Sequence, residues 1–375
     1  MARHYRCTPR LFATGAAFLA YVALGLLIAS LGASFLQLQR QTGAVPAELT
    51  FVFTLRSFGY LVGSAAGGVL LDRFPRAGTR TIAAALFVTA VSTSLVPSAG
   101  TVAVLCVLFC TQGVAMGALD TIANVIIIYL WADGAGPWMQ GLHAAFAVGA
   151  VISPLVVRLS QSLSTSGTSI SAAFYAFSAV TGLCGVYFCF VPTPTPREKK
   201  VVATTITSEP TAPAPQAKTT CCSCSYHLRI ILTTGALLGI YVGAETGFGG
   251  FVLLYAQNQH GMTEAEGQYV NALFFGCLTL GRIVGIPLSR YLTVTPQLTL
   301  DLVLSVIGCA ILGVGVATGG GDGGEAGIAW LWAGAAVFGT GLGTVFPCAV
   351  LQAEAFTDLS GRAASVLMVG AAIGE

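Results

Sequence analysis

Asp120 is the one charged residue in the apolar stretch Val102 to Leu130, within the string Gly117-Ala118-Leu119-Asp120-Thr121-Ile122-Ala123-Asn124. A carboxylate at bilayer depth is costly, so by default it marks an ion or solute path. Its available chemistry is cation coupling or acceptance of hydrogen bonds from a solute. The other ionisable residues in apolar runs are Arg56, His143, Glu245 and Arg282, with Asp301 close to the start of its run and Glu354 near the end of another. Helical spacing groups several of them with small and polar neighbours. Gly113, Gly117, Asp120, Asn124 and Trp131 share one face; Arg56, Tyr60, Gly63 and Gly67 share another. Gln140, His143, Ala147 and Pro154 form a third stripe, and Tyr241, Glu245, Gly249 and Ala256 a fourth. Asn271 and Arg282 are in register on one run, while Ser30, Ser34 and Gln37 form a weaker stripe on the first.

Each stripe also has a purely structural account. Small residues let membrane helices pack closely, and polar ones hydrogen-bond between helices. Packing is the expected role of the glycines. On this account Asp120 pairs with Arg56 or His143, and His143 braces the bundle. On the functional account Asp120 and Asn124 contact the coupling ion or solute, with Gln140, His143, Glu245, Tyr241 and Asn271 beside them. Arg56 and Arg282 then act as counter-charges or solute clamps. Hydroxyl, amide and aromatic groups together suit a polyhydroxylated solute.

The elements that must position these residues are membrane helices. The 375 residues are 55% hydrophobic and 9% charged, with mean hydropathy +0.81. A soluble domain has about 25% charged residues, so an all-α membrane protein in the lipid bilayer is expected. The net charge of +2 points to no nucleic acid. A span needs about 20 apolar residues. Runs at 11–36, 50–71, 79–96, 102–131, 137–157 and 169–191 give six spans. Runs at 228–256, 269–292, 298–317 and 328–351 give four more, and 363–375 gives a partial eleventh. The expected domains are an N-terminal six-helix bundle, 1–191, a disordered cytoplasmic linker, 192–226, and a C-terminal bundle, 227–375. The linker is rich in Pro, Thr and Lys and buries too little apolar surface to fold. The sequence stops inside its eleventh span, so a fragment with an incomplete second bundle is expected.

Orientation follows from the basic residues. With the N-terminus in the cytoplasm, thirteen of the 17 lysines and arginines fall inside. Only Arg40 and Arg158 fall outside, with Arg56 and Arg282 in spans. An internal repeat relates the halves: a shift of 217 sets Phe58, Gly59, Leu61, Gly68, Leu71 and Arg73 on Phe275, Gly276, Leu278, Gly285, Leu288 and Arg290. The eleven cysteines form no disulfide framework; Cys221, Cys222 and Cys224 read as plain thiols or palmitoylation sites. No metal-ligand spacing and no serine–histidine pairing appears, so an enzyme is not expected. A membrane sensor or scaffold is the alternative from another class.

Gly68-Val-Leu-Leu-Asp72-Arg73, followed by Arg76 and Arg80, resembles the loop 2–3 signature of the major facilitator superfamily. Pro75 stands where a glycine is usual. The resemblance implies a cytoplasmic gate at Gly68, Asp72, Arg73 and Arg76, with Asp72 at a helix N-terminus and paired with arginine. Its second copy is degenerate, with Ser289 in place of the acid. Gly117 to Val125, Leu130-Trp131, Met139-Gln140, Leu142-His143, Tyr241 to Glu245, Leu280-Gly281-Arg282 and Ser365 to Gly370 are similar to the sodium-dependent glucose transporter-like branch. That branch is the superfamily's domain-containing protein 4 group, related to fucose–proton symporters. It implies the major facilitator fold, two six-helix bundles with about eleven of twelve helices present here, the third helix of each triplet being peripheral. It also implies a monomeric plasma-membrane carrier of a hexose such as glucose, without a cofactor but with a coupling Na+ or H+. The symporters' fourth-span carboxylate falls on Asp120. Their first-span acid has no counterpart here, which leaves sodium coupling and uncoupled transport open beside proton coupling; another metabolite remains the alternative solute.

Overall fold

The computed structural model describes residues 2–164, 169–194, 220–318, 325–357 and 359–374. Residues 195–219 of the expected linker and Glu375 lie outside the described residues, as do the side chains of Cys221, Cys222 and Cys224. The chain forms α1 (Ala2–Ala33), α2 (Phe35–Thr42), α3 (Pro46–Arg73), α4 (Gly78–Leu95), α5 (Val102–Trp131), α6 (Ala135–Leu163) and α7 (Ser171–Cys189). It continues with α8 (Thr220–His260), α9 (Glu264–Leu288), α10 (Val294–Thr318), α11 (Glu325–Leu342), α12 (Val345–Phe356) and α13 (Gly361–Gly374). Among the described residues, ten stretches are long and apolar enough to cross a membrane, α11 and α12 together making the tenth. The molecule is a multi-pass membrane protein with the expected all-α architecture. Hydrocarbon offers no partner for a backbone amide, so the apolar runs become helices despite many glycines.

Helix ends follow local chemistry. Thr101 caps α5 by accepting from the Val104 amide at 3.4 Å. Thr263 and Glu266 form a capping box on α9. The Thr263 amide and hydroxyl hold the Glu266 carboxyl below its usual range. The α13 terminus is satisfied from another helix. Asp72, on α3, accepts from the Gly361 amide at 2.7 Å and the Arg362 amide at 2.9 Å. Ser360 takes the next two amides through its hydroxyl and its carbonyl. The amides of Gly361, Arg362 and Ala363, which have no partner within the helix, are thus paired, and that of Ala364 begins the helical ladder.

Glycines set the close crossings. A Cβ on Gly67 of α3 would lie 2.8 Å from the Ala118 Cα of α5, and one on Gly113 of α5 would lie 2.9 Å from the Tyr60 amide of α3. On α1 and α6, Gly25 and Gly149 pack against each other's helix in the same way. In the second half, Gly370 of α13 meets Gly235 of α8. These contacts bring α3 onto α5 and α1 onto α6, so that Tyr21, Tyr60, Asp120 and His143 face one interior.

Three expectations about the elements change. The first span ends at Ala33, and Ser34 starts the separate helix α2, which carries Gln37. The Ser30 hydroxyl returns to the Leu27 carbonyl and that of Ser34 to the Ser30 carbonyl. Both hydroxyls are thus spent on carbonyls of the preceding turn, next to the break. The tenth span is broken at Gly343 and Thr344. The ninth, α10, is not wholly peripheral, because its first turns bury Gln297 and Asp301 against Thr344.

Candidate functional site

Asp120 is 5% exposed and sits in a cage of donors. Tyr60 donates to Oδ2 at 2.7 Å, Asn124 donates to Oδ1 at 3.1 Å, and Tyr21 donates to Oδ1 as well. Asn124, one turn further along α5, also donates to the Tyr21 hydroxyl at 2.6 Å. Tyr21 comes from α1, Tyr60 from α3 and Asp120 from α5, so three helices must pack before the cage exists. Charge-assisted hydrogen bonds from phenols can hold a buried carboxylate without a cation beside it. The partners named in the structural account of Asp120 are thus corrected. Arg56 instead donates to the Ile28 carbonyl at 3.0 Å and lies over the Phe53 ring. His143 does not bond Asp120; its Nε2 lies 3.3 Å from Asn124 Oδ1 and its ring packs on that of Tyr21.

His143 carries the site across to the second half. Its ring lies 5.5 Å from that of Tyr21 and 4.6 Å from that of Phe346 on α12. Its carbonyl accepts from Arg282 Nη1 at 3.3 Å. Arg282, 2% exposed, also donates to the Tyr241 hydroxyl at 2.7 Å, to Glu245 at 3.4 Å and to the Gly343 carbonyl at 3.1 Å. The break in the tenth span frees that carbonyl, and Arg282 occupies it. The result is an unbroken line of polar groups, Tyr60–Asp120–Tyr21–Asn124–His143–Arg282–Glu245, with Phe346 against its middle. Carboxylate, amide and cationic groups along it offer acceptors and donors for a hydroxylated molecule, and the rings of Tyr21, Phe346 and Tyr241 offer apolar faces.

Below this line, toward the end of the bundle where α3 turns into α4 (the base), the halves are latched. Besides Asp72 on α13, the Ser365 hydroxyl donates to the Ser64 carbonyl at 2.8 Å. Gly68 packs on Gly361 so closely that a Cβ would overlap the Gly361 carbonyl and the Ser365 hydroxyl. The cationic partner of Asp72 is Arg362, at 3.7 Å. Arg73 and Arg76 are exposed, and Arg73 stacks over Phe74. The latch is built mainly from backbone amides, which no loop motif displays.

Two other residues fall apart from the line. Gln140 lies one turn below His143 and donates to Cys348 Sγ at 3.3 Å. Asn271 lies eleven residues from Arg282, roughly 16 Å along α9, with its buried Oδ1 lacking a hydrogen-bond partner. Glu354 accepts from the Leu359 amide near the base. Helical spacing does not single out Tyr21, Ser64, Thr344 or Phe346. For Tyr21 a usable signal exists: a tyrosine one turn before Gly25 in an otherwise apolar span, 103 positions before Asn124.

The Major Facilitator Superfamily description matches residues 14–375. The chain is similar to sodium-dependent glucose transporter 1A of Mus musculus, with 26% identity over 96% of this chain and 86% of the relative. It is similar in structure to a proton:xylose symporter bound to 6-bromo-6-deoxy-D-glucose, with TM-score 0.72, 17% identity and coverage of 99% of this chain and 87% of that one. The E. coli fucose:proton symporter superposes with TM-score 0.69 at 17% identity, over 98% of this chain and 89% of its own.

Proposed function

The chain belongs to the Major Facilitator Superfamily, and we propose that it is a secondary transporter that moves a hexose such as glucose by alternating access. One observation carries this reading: the polar line from Asp120 to Glu245 crosses both halves midway through the bundle, above a base where the halves are latched. Solute sites of such carriers lie near the midplane, between halves that rock about them. Asp120 and Asn124 accept and donate to solute hydroxyls, His143 and Glu245 contact the solute from the facing side, and Arg282 neutralises Glu245 while the site is empty. The mouse relative is a sodium-dependent glucose transporter, which supports glucose and sodium; the solved neighbours are proton symporters of xylose and fucose, which support a sugar with a proton. The basic-residue count supports a cytoplasmic N-terminus, which makes the base the cytoplasmic gate and the closed form outward-facing, in the plasma membrane.

The test is uptake by reconstituted protein across a sugar panel, with and without sodium, at two pH values. Saturable uptake of one hexose is expected, higher with sodium. Uptake of no panel member would remove the hexose reading and favour a sensor. A second outcome concerns the latch. Asp72→Ala deprives the Gly361 and Arg362 amides of their acceptor, a loss of about 1–2 kcal/mol for a capping carboxylate. That shifts the closed-to-open ratio by about tenfold. A single cysteine placed at Ser289, beside the base, should then be labelled several-fold faster by a water-soluble maleimide. Unchanged labelling would mean that Asp72 does not hold the base closed.

A further inference from the structure

We propose that Asp301 is a proton-binding carboxyl that favours the closed base while it is neutral, whereas Asp120 stays ionised. Asp301 lies in the second turn of α10, within the ninth apolar stretch, and is 7% exposed. The Thr344 hydroxyl donates to its Oδ2. Its Oδ1 has no hydrogen-bond partner among the described residues. No lysine, arginine or histidine among them forms an ion pair with it. Asp120, by contrast, accepts from Tyr21, Tyr60 and Asn124 together. A buried carboxylate keeps its charge when it is paired or richly hydrogen-bonded, and otherwise takes up a proton. Two carboxyls in such unlike surroundings divide the work, one staying charged and the other binding protons.

The bonds around Thr344 direct the proton to one oxygen. Thr344 Oγ1 accepts from Gln297 Nε2 at 3.1 Å and from Cys348 Sγ at 3.8 Å. Both lone pairs of the hydroxyl are then taken, and its hydrogen is committed to Asp301 Oδ2. A proton arriving from water therefore binds Oδ1, forming one O–H bond and leaving the Thr344 bond in place. Its loss returns the proton to water and leaves a carboxylate with a single donor. The N-terminus of the twelve-residue helix α12 offsets part of that charge but provides no hydrogen bond to Oδ1.

The surrounding helices supply no counter-charge. From α12 comes the Cys348 thiol, while Glu354 lies further along that helix, near the base. From α9 comes Arg282, already bound to Glu245, Tyr241 and the carbonyls of Gly343 and His143. Arg290, between α9 and α10, is exposed. α11 has only Glu325, at its opposite end. α10 itself adds Cys309, which is exposed, and α6 brings the neutral amide of Gln140.

This network lies where the halves meet. A Cβ on Gly285 of α9 would meet the Thr344 methyl, Gln297 Nε2 and, from the other half, Gln140 Oε1. Gln140 also donates to Cys348 Sγ at 3.3 Å. Opening the base draws α6 away from α9 and α12 and lets water reach Thr344 and Asp301. Water stabilises the carboxylate more than the acid. The proton therefore binds the closed-base form better and favours it by that difference, and its loss favours opening. Thr344 also follows the Gly343 carbonyl that Arg282 holds, which joins Asp301 to the polar line. The link to transport rests on the reading under Proposed function; proton binding by Asp301 does not.

The experiment is infrared spectroscopy of the purified full chain in detergent, near neutral pH. A protonated carboxylic acid has a C=O stretch that a carboxylate lacks and that shifts in heavy water. Wild type should show this band, Asp301→Asn should lose it, and Asp120→Asn should keep it. Thr344→Val removes the one donor to the carboxylate, so its band should persist to more alkaline pH. That variant decides the matter should Asp301→Asn fail to fold. No band in wild type overturns the proposal, as does a band kept in Asp301→Asn, lost in Asp120→Asn, or titrating in Thr344→Val as in wild type. The second measurement is reconstituted uptake at fixed sodium, from acid to alkaline pH. Wild-type uptake should change several-fold, within the limit of about tenfold per pH unit for one linked proton. Asp301→Asn should flatten that profile; an unchanged profile overturns the link to the base. Uptake without the band overturns this proposal and leaves the transport reading standing. A band that depends on Asp301, with no uptake of any solute, overturns the transport reading alone.

Discussion

Asp120→Asn should lower solute uptake about 100-fold while the protein still folds. The carboxylate accepts from Tyr21, Tyr60 and Asn124 at once, and hydrogen bonds to a charged group contribute about 1.5–3 kcal/mol each. An asparagine keeps the volume and one acceptor. Its amide must face one of the two phenols, donor against donor, and the charge is gone. Losing about 3 kcal/mol of the interactions that hold solute or ion gives about a 100-fold fall. The phenol hydroxyls can rotate to accept from the new amide, so the melting temperature should fall by only a few degrees. Asp120→Ala separates the two consequences. It removes the acceptor that Tyr21, Tyr60 and Asn124 share, at about 1–3 kcal/mol for each bond that finds no substitute, and should melt markedly lower than Asp120→Asn, although Asn124 keeps the Tyr21 hydroxyl and the Asp120 carbonyl. The measurements are reconstituted uptake and thermal unfolding in detergent. Wild-type uptake and cation dependence in Asp120→Asn would remove Asp120 from the path.

Arg282→Gln has the second large effect, and here stability and transport part company. The guanidinium is buried and binds Glu245, the Tyr241 hydroxyl and the carbonyls of Gly343 and His143. Removing one partner of a buried ion pair strands the other charge and costs about 3–5 kcal/mol. Glu245 keeps some access to water, its side chain being 13% exposed, so the loss belongs at the lower end of that range. Adding Glu245→Gln removes the stranded charge. The double variant should recover most of the lost stability without recovering uptake, because the Gly343 carbonyl at the break and the bridge to His143 remain unserved. A cycle of the four proteins by thermal unfolding measures the coupling. Strict additivity would mean that the pair does not act as a unit.

Much of the architecture was legible in the residues. The poverty of charge, the lengths of the apolar runs and the repeat of Phe58–Arg73 in Phe275–Arg290 imposed membrane helices in two related sets. The intramembrane charges were legible too, since Asp120, His143, Glu245 and Arg282 all lie on the line that crosses the halves. Their partners were not. Helical periodicity says which residues share a face of one helix, whereas Tyr21, Tyr60 and Asp120 meet from three helices, with α3 and α5 brought close at Gly63 and Gly113 and α1 held on α6 at Gly25 and Gly149. The serines of the first span show the same limit in reverse: Ser30 and Ser34 bond backbone carbonyls of their own chain, an option that spacing does not reveal.

Composition and patterning by themselves determined that this chain lives in a bilayer, how its helices follow one another, and where ionisable groups enter the apolar core. Those outcomes depend on local transfer energies, which each residue carries with it. Tertiary structure alone decided which charge is caged by phenols, which is paired, and which is left over. It set the phenol cage on Asp120, gave Glu245 to Arg282, broke the tenth span at Gly343, and put the Thr344 hydroxyl on Asp301. Buried electrostatics depend on distance and on competition for a few donors, and both are fixed only when the helices have packed.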